Sequence, residues 1–86
     1  MAWVVESTRA VSPDDGSGCD AAYLVRLTQG EETAESVVGF AAPSAVASGG
    51  YAEEKLSKFL RDERPPNAIV IDVDGSVRVV STEFRA

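Results

Sequence analysis

IVIDVDGSVRVV, running from Ile69 to Val80, is the stretch that decides the fold. Apolar residues flank a turn-forming centre, so the segment reads as two strands joined by a tight loop. A two-residue turn at Asp74-Gly75 would set Ile71 opposite Arg78 and waste the apolar pattern. A three-residue loop from Val73 to Gly75 avoids this: Asp72 takes the first position of a type I turn, and Gly75 the last, as the left-handed residue of a bulge. Ile69, Ile71, Val77 and Val79 then share one face, and Ala68, Val70, Arg78 and Val80 share the other.

Upstream of the hairpin, Ala52, Leu56, Phe59 and Leu60 recur at spacings of three and four, with Glu54, Lys55, Lys58, Arg61 and Asp62 opposite. This spacing predicts an amphipathic helix from Tyr51 to about Glu63, stopped by Pro65-Pro66. Glu53 and Glu54 are expected in its first turn and Arg61 and Arg64 near its end, complementing the helix dipole. Before it, the small-residue segment Ala41 to Gly50 has Pro43 to open a short helical turn and Gly49-Gly50 to end it.

The N-terminal half reads as three strands. Ala2 to Val11 is rich in Val with one Trp, and Ala21 to Gln29 alternates Tyr23, Val25 and Leu27 with Ala22, Leu24 and Arg26. Gly30-Glu31 turns the chain into a third strand, Thr33 to Phe40. Between the first two strands, Pro13, Asp14, Asp15, Gly16, Ser17 and Gly18 make Ser12 to Asp20 a loop. The fold expected is α+β: one domain over residues 1–86, with about five strands in the order β-β-β-α-β-β, forming an antiparallel sheet with the helix packed on one face.

The chain has 86 residues, a length at which folding buries only about 60 to 65% of the surface of the unfolded chain, so the core is small. Eight Lys and Arg stand against fourteen Asp and Glu, and no basic cluster exists to neutralise phosphates, so nucleic acid is not an expected partner. Nothing approaches the ~20 apolar residues of a membrane span, and the start lacks the basic and apolar regions of a secretory signal. With a single cysteine, Cys19 in a polar loop, no internal disulfide can form, which fits a reducing, cytoplasmic setting. The abundance of Ala, Val and Arg over Lys fits a bacterial source.

The string from Ile69 to Ser76 also resembles the nucleophile motif of the haloacid dehalogenase phosphatases, an apolar strand followed by DxDG. That resemblance implies phosphate transfer to Asp72, with Asp74 as acid and base. The family sets this motif at the start of a parallel doubly wound sheet, with a metal-binding acidic pair and a lysine far downstream. Here only about a dozen residues follow and they read as a return strand, so the turn accounts for Asp72 and Gly75 instead.

Other chemistries find few residues to carry them. Zinc needs Cys or His ligands, and the chain has one Cys and no His. Asp14, Asp15 and Asp20 lack the alternate spacing of a calcium loop. Ser48-Gly49-Gly50 precedes the helix as a phosphate cradle would, but no Lys or further glycine pattern completes it. No enzyme activity, metal or cofactor is therefore expected.

The function expected is a non-catalytic protein-binding or self-associating module. Valine pairs Val4-Val5, Val37-Val38 and Val79-Val80 give both sheet faces apolar side chains, while one helix covers one face. The candidate interface is Val70, Val80, Arg78 and Val4, with another protein or a second copy as partner. A small inhibitor, antitoxin or immunity protein is the runner-up by analogy of class. Behind it stand a phosphoryl-handling site at Asp72 and a small-molecule pocket lined by Trp3, Tyr23 and Tyr51.

Overall fold

A computed structural model describes residues 3–13, 18–41, 47–60 and 65–80. Among these residues five strands and one α-helix make an α+β fold in the order β1 (Val4–Val11), β2 (Cys19–Gln29), β3 (Glu32–Ala41), α1 (Gly49–Leu56), β4 (Ala68–Ile71) and β5 (Val77–Val80). The strands lie side by side in chain order, β1-β2-β3-β4-β5. Residues 14–17 of the loop expected over Ser12 to Asp20, residues 42–46 of the segment in which Pro43 is expected to open a helical turn, and the helix end expected at 61–64 fall outside the described residues.

β2 and β3 form the longest pairing, and Gln29 and Glu32 close their two-residue turn. Gly30 has φ 65° and, among the described residues, no non-glycine residue has positive φ, which is the pattern of a type II′ turn with glycine in its first central position. The second hairpin takes the three-residue loop argued from sequence. Ile71 faces Val77 and Ile69 faces Val79, the Gly75 N–H donates to the Asp72 carbonyl at 2.8 Å, and Gly75 has φ 91°.

The sheet is mixed, not antiparallel throughout: β3 and β4 run parallel, with Val37 to Phe40 in register with Ala68 to Ile71. The helix is the reason. A strand, a helix and a neighbouring strand make a crossover, and a helix long enough to carry the chain back along the sheet delivers the next strand at the end where the previous one began. The Val37 N–H donates to the Asn67 carbonyl at 2.9 Å where the returning chain rejoins the sheet. Just before it, the hydroxyl of buried Ser36 donates to the Pro66 carbonyl at 2.5 Å, so this polar side chain is satisfied within the core.

The helix starts earlier and ends earlier than its apolar spacing predicts. Ser48 is its N-cap, with its hydroxyl accepting the Tyr51 N–H at 3.1 Å, so Gly49 and Gly50 open the helix rather than end a preceding turn. Glu53 and Glu54 consequently lie beyond the first turn and do not complement the dipole there. The α-helix gives way to a 3₁₀ turn over Ser57–Phe59, where the Ser57 hydroxyl donates back to the Glu54 carbonyl at 2.6 Å.

Ala52 and Leu56 are fully buried, in one apolar cluster with Trp3, Val25, Leu27, Val38, Phe40, Ile69 and Ile71. The Thr8 hydroxyl donates to Glu53 Oε2 at 2.5 Å, tying β1 to the helix. A second, smaller cluster holds Ala22, Val37 and Ala68, with Val11, Leu24 and Val80 partly buried beside it. By strand alternation these residues occupy the opposite face. β3 and β4 are central strands, buried on both faces from Ser36 to Phe40 and from Ala68 to Ile71. Among the described residues, no helix is long and apolar enough to cross a membrane.

Candidate functional site

The four residues expected to form an interface do not come together as one exposed patch. Val70 is 2% exposed, set between Gly39 on β3 and Arg78 on β5. The expectation that its side chain is left open by the monomer is therefore corrected: a central strand has neighbours on both sides, and Val70 is packed within the chain. Val80, opposite Ala68, is partly buried. Val4 is 62% exposed but lies at the far margin of the sheet, on β1.

Arg78 is exposed on β5, and its Nε donates to both carboxylate oxygens of Asp72, at 3.2 and 3.3 Å. Both side chains point to the face away from the first cluster. An exposed pair of this kind contributes about 0 to 1 kcal/mol, enough to orient the guanidinium but little to stability. Asp74 is turned to its own loop, where the Ser76 backbone N–H and hydroxyl both donate to its Oδ1, at 3.0 and 2.7 Å. These two bonds hold its carboxyl below the usual aspartate range. Asp72 and Asp74 are thus both engaged within the hairpin. Among the described residues, no three acidic or cysteine side chains group as metal ligands would.

Two of the aromatic residues expected to line a pocket, Tyr23 and Tyr51, pack on Phe40. Tyr23 meets Phe40 edge-on, with ring centres 6.0 Å apart, and Tyr51 lies against the same ring at 6.0 Å with Lys55 Nζ 5.3 Å above it. Trp3 is buried in the main cluster. Cys19 is partly buried and forms the first residue of β2 opposite Ala41, not a loop position.

The residue that sequence reasoning misses is Val79. Alternation assigns it to the covered face, and its partner Ile69 is indeed fully buried, yet Val79 is 58% exposed. Its exposure follows from strand order, because β5 is an edge strand and nothing in an alternating pattern marks an edge. Val73, at the tip of the adjoining turn, is 66% exposed. Together with the partly buried Val77 and Val80 they make one margin of the sheet largely apolar, with Arg78 its one charge, and nothing among the described residues covers Val73 or Val79. No protein-family model matches the chain, and no curated protein or solved structure matches it.

Proposed function

We propose that the chain is a non-catalytic protein-binding module whose contact surface is the β5 margin of its sheet. The observation that carries this reading is the exposure of Val79, a β-branched residue in a strand that continues the main core. In this reading α1 covers one face of the sheet through Ala52 and Leu56, the two clusters fill both faces, and among the described residues the β5 margin keeps two exposed valines, Val73 and Val79, against Val4 at the β1 margin. The acidic balance, net charge −6, keeps the free module soluble, and the single cysteine suits a reducing compartment such as the cytoplasm.

The test is a photo-crosslinking residue placed at Val79 in the native host, with products identified by mass spectrometry. A defined polypeptide, whether the chain itself or another, should be captured from position 79 and not from Glu31, an exposed turn residue at the end of the β2–β3 hairpin. Identical products from both positions would overturn the proposal.

A further inference from the structure

Among the described residues the sheet has two free edges, β1 and β5, and they are built differently. β1 is interrupted by a bulge between Val5 and Ser7, at Glu6, whose carboxylate lies 3.8 Å from Arg26 Nε. A bulge and a charge in mid-strand blunt an edge against further pairing. β5 has no bulge: its four residues pair with β4 in unbroken register, and its one charge, Arg78, is held by Asp72 of the same chain.

The hydrogen-bond phase of β5 follows from its turn. The Asp72 N–H donates to the Ser76 carbonyl at 2.8 Å, so that pair is a hydrogen-bonded one. In an antiparallel ladder such pairs alternate, which turns the backbone groups of Arg78 and Val80 toward β4 and those of Val77 and Val79 out to the free edge. Among the described residues nothing pairs with the outward N–H and C=O of Val79, which stand beside an exposed apolar side chain.

We propose, building on the reading of β5 as the contact surface, that the partner is a second copy, paired β5 to β5 in antiparallel sense about a two-fold axis at Val79. The pairing would join two five-stranded sheets into one. The register is selected by charge. An axis at Arg78 would set two guanidinium groups directly opposite each other, which is repulsive. An axis at Val77 would put Val79 opposite the Gly75 turn. With the axis at Val79, the two copies of that residue exchange both backbone bonds, the two valine side chains meet on the helix face, and Arg78 faces Val80. Pairing of β5 with β1 of another copy would be head-to-tail and open-ended, and the bulge at Glu6 opposes it.

The experiment combines sedimentation equilibrium with directed disulfides, in a background carrying Cys19→Ser. Sedimentation from about 10 µM to about 1 mM spans the range in which a small interface associates, and it should show a reversible dimer. Val79→Pro removes the outward N–H without breaking a bond to β4, and Val79→Lys places a charge at the axis; each should give a monomer with the circular dichroism of the parent. Val79→Cys should oxidise to a covalent dimer, because Cα atoms of a hydrogen-bonded pair lie about 5.5 Å apart, within disulfide reach. Val77→Cys should not, since its two copies would be separated by four strand positions, roughly 13 Å or more. Oxidation at 77 and not at 79 would overturn the register. A dimer insensitive to both Val79 variants but dispersed by Val4→Lys would overturn the choice of edge. A wild-type monomer throughout would overturn self-pairing, and crosslinks from position 79 to a different polypeptide would then show that the binding-module reading survives it.

Discussion

Replacing Gly75 with alanine isolates the conformational demand of the β4–β5 turn. A Cβ built at this position meets only Tyr51 Oη, at 3.9 Å, which is ordinary contact and adds no steric cost. What remains is the backbone: Gly75 has φ 91°, a region where a side chain crowds the following carbonyl, at a cost of about 1 to 2 kcal/mol. For a domain of this size each kcal/mol lowers the melting temperature by about 4 to 8 °C, so Gly75→Ala should melt about 4 to 16 °C below the parent. Gly50→Ala provides the opposite control. Gly50 has no positive φ and nothing lies within 4 Å of its Cβ position, so alanine in the helix should stabilise by about 0.5 to 1 kcal/mol. Thermal unfolding followed by circular dichroism reads both. If Gly75→Ala melts with the parent while Gly50→Ala rises, the left-handed turn and the hairpin register built on it are wrong.

Leu56 is fully buried, and Leu56→Ala should cost about 2 to 5 kcal/mol of a total stability near 4 to 13 kcal/mol, measurable as a fall in the urea midpoint. Val70→Lys should unfold the chain and not merely disperse an oligomer, because a lysine introduced at a 2% exposed position has no charge partner; native-like circular dichroism would refute the packing described for the second face. Asp74 should titrate below the usual ~3.9, and Ser76→Ala should raise its midpoint toward that value in carboxyl NMR. Because its folded pKa is depressed, its contribution to stability is present above the unfolded value and disappears as the pH falls through the lower, folded one. A Ser76→Ala titration unchanged from the parent would remove the hydroxyl as a cause.

The hairpin is legible in the sequence because its residues over-determine it: only one register sets Ile71 opposite Val77 and also gives Gly75 the left-handed position. The direction of β4 relative to β3 is not, since a period of two records which face a side chain takes and says nothing of strand polarity. The unbroken burial of Ser36 to Phe40 is the available hint, as parallel strands covered on both sides lose their alternation. The helix limits depart from expectation for local reasons. Phe59 and Leu60 continue the apolar spacing, but the Ser57 hydroxyl competes for the Glu54 carbonyl and tightens the turn. Ser48 supplies a cap that makes Gly49-Gly50 a beginning. At the candidate site, sequence reasoning selects Val70 and passes over Val79, because exposure there depends on which strand has a neighbour.

Charge gives a further way to tell what occupies the β5 edge. Each copy carries net charge −6, so two copies approaching edge to edge repel, and their association has to come from backbone pairing and the burial of Val79. Raising the salt from about 0.1 M to about 1 M shortens the screening length from about 10 Å to about 3 Å and strips most of that repulsion, while leaving short contacts in place. Self-pairing should therefore tighten with salt. A basic partner would behave in the opposite way: attraction to an acidic module draws its strength from the same long-range field and is weakened as the field is screened. Sedimentation equilibrium across that salt range, with the Val79→Lys variant as reference, separates the two. A dimer that dissociates as salt rises would mean that opposite charges hold it together. Among the described residues the Val79 axis contains no such pair, since it sets Arg78 against Val80 and leaves Asp72 to its own chain.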